Sequence, residues 1–259
     1  MFSLRPIAVA TAALSALLAF VTPPASAQSG ALDKAQREAV EQVIKEYLLK
    51  NPELIQDAII ELERRQQEAQ KTAQKAALQS ERATLLNSPR GNIVGNVSGD
   101  VTLVEFFDYN CGYCKRALTD LRALLKADPK LRVVLKDFPV LGPDSVEASR
   151  VALAAKQQLK GDKLFDYHIK LMETRGRVNG ERAQAVAKEM GLDMARLQKD
   201  LDSEEPRAAI QENLMLGDRL GLTGTPAFVI GEEIIAGAVG LEPIRKVVTS
   251  TRQCGKAVC

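Results

Sequence analysis

Residues 104–115 read VEFFDYNCGYCK, and this stretch decides the fold class of the chain. Its first half belongs to a run of β-branched and aromatic residues, 101–107, which is typical of a buried strand. Its second half leads into a polar and apolar pattern that predicts a helix ending near Pro129. Cys111 and Cys114 therefore lie between a strand and a helix, at the predicted start of the helix.

This order of elements suits thiol chemistry. A helix N-terminus presents unpaired N–H groups and a partial positive charge, which stabilise a thiolate on Cys111. The two-residue spacer places the sulfur of Cys114 one turn along, close enough to form a disulfide with Cys111. A strand, a Cys-x-x-Cys motif and a helix in this order indicate a redox site of the thioredoxin type.

The composition excludes several classes of protein. The chain has 259 residues, of which 46% are hydrophobic and 26% charged, and this is typical of a folded chain with a buried core. The formal net charge is +2, from 35 Lys and Arg against 33 Asp and Glu, with no block of like charge. We therefore expect no nucleic-acid partner.

The residues other than cysteine offer little chemistry. His168 is the single histidine, so a His-rich metal site or a Ser-His-Asp mechanism has almost no residues to work with. No nucleophile lies near it in the sequence, and we interpret it as a structural residue of a helix. We interpret Asp108 and the pair Lys136-Asp137 as residues that shape the surroundings of the site. The four cysteines, in two close pairs, carry the candidate chemistry.

Residues 1–27 have the pattern of a signal peptide rather than of a membrane anchor. Residues 1–5 carry one positive charge, residues 7–21 form an apolar run, and residues 25–27 are a small-x-small cleavage site. The apolar run is shorter than the roughly 20 residues that a membrane span needs. We expect a mature chain that begins near Gln28 and is exported to a bacterial periplasm, where paired cysteines persist as disulfides.

Residues 32–86 are rich in helix formers and predict two helices, the second with Asn51 as its N-cap. We interpret residues 28–65 as an oligomerisation arm and residues 66–88 as a helical stalk or linker. The arm carries an apolar stripe, which either packs on the domain that follows or binds other copies of the chain. We favour self-association. The residues expected to make that contact are Val40, Ile44, Tyr47, Ile55, Ile59 and Leu62.

Residues 89–259 predict one α/β domain. Between residues 140 and 221 the pattern is helical throughout, which is more helix than a thioredoxin core needs, so we predict an inserted helical subdomain there. Residues 227–230 and 233–236 predict a closing hairpin, and residues 243–252 predict a last helix. The helix starts predicted in the insert are Asp144, Asp162, Asn179, Asp193 and Pro206.

Three segments resemble a known family. Residues 104–115, together with GTPAFVIG at 224–231, are similar to the DsbA-like thiol–disulfide oxidoreductases of the thioredoxin superfamily. Within that family the chain resembles the ScsC group, the suppressors of copper sensitivity, because YLLKNPELI at 47–55 is similar to their helical oligomerisation arm. The resemblance implies a thioredoxin fold with an inserted helical subdomain, preceded by that arm.

The resemblance also implies roles for single residues. Cys111 corresponds to the exposed nucleophile that forms a mixed disulfide with a substrate protein, and Cys114 to the buried resolving thiol. Thr225-Pro226 corresponds to the cis-proline loop that faces the disulfide and pairs with a substrate strand. Glu105 corresponds to a buried acid that relays a proton to or from Cys114, although an alternating strand would also allow it to face solvent.

The spacer Gly112-Tyr113 bears on the redox poise. It places no cation beside the thiolate, so we expect a weaker oxidant than DsbA itself. Lys115 and Arg116 are expected to favour the thiolate all the same. Tyr113 either packs at the rim of the groove or contacts substrate directly.

The second cysteine pair, Cys254 and Cys259, departs from the family pattern. Its spacing allows a terminal structural disulfide, a second redox pair, or a metal-binding or intermolecular role. Two soft thiolates suit Cu(I), and the same holds for reduced Cys111 and Cys114. Apart from the redox-active disulfide and this Cu(I), we expect no cofactor.

Three functions from different classes remain open. The first is a disulfide isomerase or reductase, an oligomer that surrounds an unfolded or wrongly bonded protein substrate and is kept reduced by a membrane redox partner. The second is a dithiol oxidase whose arm is only a tether, and the third is a Cu(I)-binding protein. The arm favours the first, because isomerisation gains from multivalent capture. On the resemblance alone, a trimer is favoured over a dimer.

Overall fold

A computed structural model describes residues 32–259 and divides them into two units at Glu61 and Leu62. The predicted signal peptide, residues 1–27, lies outside the described residues. Among the helices of the described part, none is long and apolar enough to cross a membrane.

The first unit is helical, as predicted. It comprises α1 (Lys34–Lys50) and the beginning of α2 (Glu53–Ser80). Asp33 caps α1, because its carboxylate accepts a hydrogen bond from the Gln36 N–H at 2.8 Å. The prediction for Asn51 is wrong in detail: its side chain donates to the carbonyl of Tyr47 at 2.8 Å. Asn51 therefore ends α1, because the last carbonyls of a helix need donors.

The predicted apolar stripe of the arm lies on the surface of the single chain. No residue of α1 is buried, and the side chains of the stripe keep between 44% and 58% of their surface exposed. Three of these residues lie on α1 and three on α2, and apolar residues repeated along a helix face at this exposure are typical of a surface that binds another protein. The six residues are those predicted for self-association, Val40, Ile44, Tyr47, Ile55, Ile59 and Leu62.

The second unit is built on a five-stranded mixed sheet of β1 (Asn92–Gly95), β2 (Val101–Phe107), β3 (Leu131–Asp137), β4 (Ala227–Ile230) and β5 (Glu233–Ala236). The strand order in the sheet is β1-β3-β2-β4-β5. Strands β2 and β3 are parallel, and the other neighbours are antiparallel. Because β2 is central, its residues 103–107 are buried on both faces of the sheet.

The helices cover both faces of the sheet. On one face α4 (Gly112–Ala127) and α10 (Leu241–Cys254) pack over Leu103 and Phe107. On the other face, Val104 and Phe106 form a second core with Phe138.

That second core corrects the predicted stalk. The helices between residues 66 and 88 are α2 and the short α3 (Arg82–Asn87), so this segment is helical as predicted. Leu78 and Leu85 within it are nonetheless buried, packed with Val104 and Val134 of the sheet. These two leucines gain hydrophobic stabilisation from the sheet face, so a free linker cannot extend to residue 88.

The helical insert lies between β3 and β4. All five helices start within one residue of the predicted positions, and Asn179 and Asp193 act as N-caps through their side chains. The predicted α/β fold with an inserted helical subdomain is confirmed. The helices are α5 (Pro143–Ala155), α6 (Asp162–Glu173), α7 (Gly180–Glu189), α8 (Met194–Asp202) and α9 (Glu205–Arg219).

Candidate redox site

Cys111 lies at the junction between β2 and α4. It is the N-cap residue of α4, and its sulfur accepts a hydrogen bond from the Cys114 N–H at 3.4 Å. Both cysteines are free thiols. The start of the helix thus directs its unpaired N–H groups at the sulfur of Cys111, as the sequence predicts.

The Thr225-Pro226 loop lies against Cys111. Strand β4 begins at Ala227, directly after this loop, and pairs with β2 so that Ala227 is opposite Phe106. The peptide bond between Thr225 and Pro226 is cis. The Cys111 thiol donates to the carbonyl of Thr225 at 3.2 Å. Two predicted site elements that are 114 residues apart in sequence are therefore in contact.

The pKa of Cys111 is lowered to about 5. The largest cause is the hydrogen bond with the Cys114 side chain, and burial opposes it. A hydrogen bond with the Thr225 side chain, distinct from the contact with its carbonyl, and hydrogen bonds from the backbone N–H groups of Cys114 and Tyr113 lower the pKa further. At neutral pH Cys111 is therefore a thiolate, which is the nucleophilic form.

The two neighbouring cations are directed elsewhere. Lys115 donates its Nζ to the carbonyl of Thr174 at 2.9 Å, and the Arg116 guanidinium lies 4.8 Å from the centre of the Tyr113 ring. We expected these two charges to favour the thiolate. In the structure the hydrogen bonds at the helix start lower the pKa of Cys111 instead.

The two thiols differ in burial and in acidity. Cys114 keeps 1% of its surface exposed, and burial raises its pKa well above that of an ordinary thiol. Cys111 keeps 6%, so the expectation of an exposed nucleophile is wrong for the single chain. It is covered because the Thr225 carbonyl lies against its sulfur.

Glu105 lies in the middle of β2, on the same face as Leu103 and Phe107 and thus beneath α4. Only 2% of its surface is exposed, which excludes the solvent-facing alternative. Burial raises its pKa to about 8, and the charge of Cys111 adds to the shift. Within residues 32–259, Oε2 of Glu105 has no hydrogen-bond partner. A carboxyl group with this pKa can give or take a proton near neutral pH.

The loop before Cys111 is anchored to the insert by Asp108, which we interpreted as shaping the surroundings of the site, and by Asn110, which the sequence reasoning missed. The buried Asp108 accepts hydrogen bonds from the Leu141 N–H at 3.0 Å and the Ser145 hydroxyl at 2.7 Å. The Asn110 side chain pairs with both the N–H and the carbonyl of Val178, at 2.7 and 2.9 Å. The signal in the sequence was a turn-forming Asp, because its side chain often accepts a hydrogen bond from the backbone N–H two residues on, as Asp108 does from Asn110 at 2.8 Å.

The predicted substrate-binding residues border open space. Tyr113 has 61% of its surface exposed, and together with Thr225 and Pro226 it lines a cavity of about 520 Å³. At Gly112, the first residue of α4, an added Cβ would meet no atom within 4 Å apart from those of its chain neighbours and its own helix backbone. The surface beside the two thiols can therefore admit part of another molecule.

His168 is buried in α6 and has a structural environment. Its ring packs edge-on against Phe107 at 4.6 Å and parallel to Phe165. Burial lowers its pKa to about 3, so the ring is neutral under ordinary conditions. The structure thus surrounds it with aromatic side chains, in agreement with its interpretation as a helix residue.

Cys254 and Cys259 form a disulfide at the end of α10. Both residues are exposed, and Cys254 is the last residue of the helix. No group of three or more His, Cys, Asp or Glu side chains that could hold a metal ion occurs within residues 32–259. A two-thiol Cu(I) site is a smaller arrangement than this and stays a prediction.

Known sequence families match both units. The profile of the DSBA-like thioredoxin domain matches residues 102–249, and the profile of the copper resistance protein ScsC N-terminal domain matches residues 36–69. Among curated proteins, the Na(+)/H(+) antiporter NhaA 1 of Salinispora arenicola is 26% identical over 163 residues, which are 62% of this chain and 24% of the antiporter. The chain spans about a quarter of the length of that relative.

Solved structures give the same picture. A thioredoxin-like oxidoreductase from Silicibacter pomeroyi is 40% identical with a TM-score of 0.63, and the match covers 67% of this chain and 98% of that one. A linker-deletion mutant of Proteus mirabilis ScsC is 27% identical with a TM-score of 0.65, and the match covers 88% of this chain and 99% of the other.

Proposed function

The chain belongs to the DSBA-like thioredoxin domain family, and from this premise we propose that it is a thiol–disulfide oxidoreductase that acts on proteins. One observation carries the proposal. The thiol of Cys111, whose pKa is lowered to about 5, lies at the start of α4 and 3.2 Å from the Thr225 carbonyl, with the buried Cys114 one turn behind it. This arrangement supplies a nucleophile and a resolving group in one place.

In the proposed reaction two thiols of the protein exchange with one substrate disulfide. The Cys111 thiolate attacks a sulfur of that disulfide, the substrate S–S bond breaks, and one substrate thiolate leaves. Cys114 then loses its proton, attacks the sulfur of Cys111 and releases the second substrate thiolate. Two electrons pass to the substrate, and a disulfide forms between Cys111 and Cys114.

Glu105 is proposed to handle the proton of Cys114. The pKa of Cys114 is far too high for spontaneous ionisation, because the thiol is buried. Glu105 has a pKa of about 8, so a fraction of it is ionised at neutral pH and can accept that proton as Cys114 attacks. In the reverse, oxidising direction the protonated Glu105 returns it.

We propose that the reaction runs mainly as isomerisation or reduction. The exposed stripe on α1 and α2 supports an oligomer, and residues 36–69 match the ScsC N-terminal domain. Several Cys111 sites around one substrate raise their effective concentration for wrongly bonded cysteines. This function requires a membrane redox partner that keeps the dithiol reduced, and we favour a trimer over a dimer.

Dithiol oxidation is the second candidate. A lowered thiol pKa stabilises the reduced form of the protein and so makes the disulfide form more oxidising. The pKa of about 5 lies between the roughly 7 of thioredoxin and the roughly 3.5 of DsbA, so it favours neither direction strongly.

Copper binding is the third candidate. It is supported by the match to an N-terminal domain of a copper resistance protein and by the thiolate character of Cys111. Soft thiolates suit Cu(I), and Cys111 and Cys114 are both free thiols.

We further propose that the protein works in the periplasm. The signal-peptide pattern of residues 1–27 supports export. The disulfide between Cys254 and Cys259 supports the same proposal, because such bonds persist in oxidising compartments.

The deciding experiment is reactivation of scrambled ribonuclease by the mature chain, with the molecular mass measured by light scattering. A variant of the same length, Ile44→Glu with Ile59→Glu, disrupts the stripe and leaves the second unit intact, and Cys111→Ser is the inactive control. We expect an active oligomer and a monomeric stripe variant that oxidises dithiols but no longer isomerises. A monomeric wild-type chain, or a stripe variant that isomerises equally well, would contradict isomerisation by an oligomer. Tight Cu(I) binding without thiol exchange would favour the copper function instead.

A further inference from the structure

A groove leads away from the Thr225-Pro226 loop along α2. It consists of two cavities of about 520 Å³ and about 340 Å³, and Gln74 and Ile234 line both. Tyr113 borders the larger cavity at the redox site, and Glu232 borders the smaller one at the turn between β4 and β5. All of these residues belong to the second unit.

The two walls of the groove differ in character. One wall is β5, the edge strand of the sheet, which contributes Ile234 and Ala236. The other wall is α2, which contributes Gln70 and Gln74 to the larger cavity and Lys71, Gln74 and Lys75 to the smaller one. Residues four apart lie on the same side of a helix, so both amides face the same space.

These two amides suit a peptide main chain. Nε2 of Gln74 donates to the carbonyl of Leu220 at 3.3 Å, which fixes the orientation of the side chain. Gln70 is exposed, and its side chain has no hydrogen-bond partner among residues 32–259. A carboxamide both donates and accepts, and an extended peptide offers N–H and carbonyl groups at every residue. Amides therefore recognise the main chain whatever the side chains are.

We propose that Gln70 and Gln74 bind the main chain of an extended, unfolded substrate segment while the cysteine of that segment reacts with Cys111. The inference rests on the proposed function. Thr225 lines the groove and its carbonyl lies 3.2 Å from the Cys111 sulfur, so a chain bonded to Cys111 has the groove as its adjoining surface.

The test is single-turnover exchange by the reduced mature chain with two substrates. One is a short unstructured peptide whose cysteine is in mixed disulfide with glutathione, and the other is glutathione disulfide, which is too small to extend along α2. With the peptide, the Cys111 thiolate attacks the peptide sulfur and displaces glutathione, and Cys114 then releases the peptide thiol. The dithiol supplies the two electrons, so no further reductant is needed.

The variant Gln70→Ala with Gln74→Ala removes both amides. We expect the half-saturating peptide concentration to rise about tenfold, because two hydrogen bonds are lost, and the exchange with glutathione disulfide to stay within about twofold. Gln70→Ala alone, which leaves the contact of Gln74 with Leu220 intact, should raise the half-saturating peptide concentration about threefold. Gln79→Ala is the matched control, because this exposed glutamine of α2 lines neither cavity.

Three results would overturn the inference. The double variant could leave the half-saturating peptide concentration unchanged, it could slow exchange equally with both substrates, or Gln79→Ala could have the same effect as the double variant. A change in molecular mass of the double variant would instead assign the groove to a second copy of the chain, which also overturns it. If the wild-type chain exchanges with neither substrate, the proposed function itself fails. If it exchanges with both and the double variant matches it, only the role of Gln70 and Gln74 fails.

Discussion

The two cysteine pairs lie at opposite ends of helices and have opposite properties. Cys111 and Cys114 lie at the start of α4, are buried and are free thiols. Cys254 is the last residue of α10 and Cys259 lies beyond it, and these two exposed residues form a disulfide. The N-terminus of a helix offers N–H donors, which stabilise a thiolate. The C-terminus presents carbonyl oxygens, which do not stabilise a negative charge. The position of a cysteine on its helix, more than its spacing from another cysteine, decides whether it suits reaction or structure.

The largest expected effect separates the pairs directly. Cys111→Ser should lower the rate of dithiol–disulfide exchange by at least about 1,000-fold, because it removes the nucleophile. Cys254→Ser with Cys259→Ser should leave that rate within about twofold, because neither residue adjoins the site. The measurement is reduction of a small disulfide by each purified variant. Comparable losses in the two variants would remove the distinction.

Glu105→Gln tests the proton relay beneath the first pair. We expect release of the mixed disulfide by Cys114 to slow about a hundredfold, because Gln cannot accept the proton. Alkylation of Cys111 by iodoacetamide should be little changed, because that reaction needs no relay. Stopped-flow exchange and alkylation on the same preparation distinguish the two steps, and an unchanged release rate would refute the relay.

The same variant makes a prediction for stability. The pKa of Glu105 is raised from 4.5 to about 8. The contribution of Glu105 to the free energy of unfolding is therefore fully present below pH 4.5 and is lost as the pH rises through 8. A glutamine side chain carries no charge to bury. We expect the Glu105→Gln variant to be more stable by about 3 kcal/mol at pH 7 and to show a flatter pH profile in urea unfolding. If the stabilities of the variant and of the wild-type chain changed in the same way with pH, the raised pKa of Glu105 would be contradicted.

The acidity of Cys111 also distinguishes the first cysteine pair from the second. Its pKa of about 5 predicts an alkylation rate that rises with pH through a midpoint near 5, while the disulfide pair Cys254 and Cys259 does not react at all. The depressed pKa also stabilises the folded reduced form at high pH, and that contribution disappears as the pH falls from 9 through 5. A midpoint near 8 would show that the helix start does not activate the thiol.

The smallest effect concerns the second pair. Removing the disulfide by Cys254→Ser with Cys259→Ser should lower the free energy of unfolding by about 2 kcal/mol, because the sequence separation of 5 closes only a short loop. Chemical unfolding of the oxidised chain measures it. No loss of stability would mean that this pair is not a structural staple.

Local patterns predicted much of this molecule. The helical pattern and the N-cap residues predicted the positions of the insert helices correctly. Residues such as Asn179 and Asp193 cap the helices that follow them through local hydrogen bonds, which a sequence pattern can record. The strand before Cys111 and the hairpin after Pro226 were likewise predicted from patterns of neighbouring residues.

Contacts between distant segments could not be predicted in this way. Leu78 resembles the other leucines of a polar helix, and only the sheet face at Val104 makes it a core residue. The pairing of Asn110 with Val178 joins residues 68 apart, which no local pattern records. The groove between α2 and β5 depends on the same kind of packing.

The central claim is that Cys111 is the residue that bonds to substrate, and one trapping measurement tests it. In Cys114→Ser the resolving thiol is absent, so a mixed disulfide with an unfolded substrate protein should accumulate. Mass spectrometry of proteolytic fragments should then place the substrate cysteine on Cys111. Attachment at Cys254 or Cys259, or no mixed disulfide at all, would contradict the account.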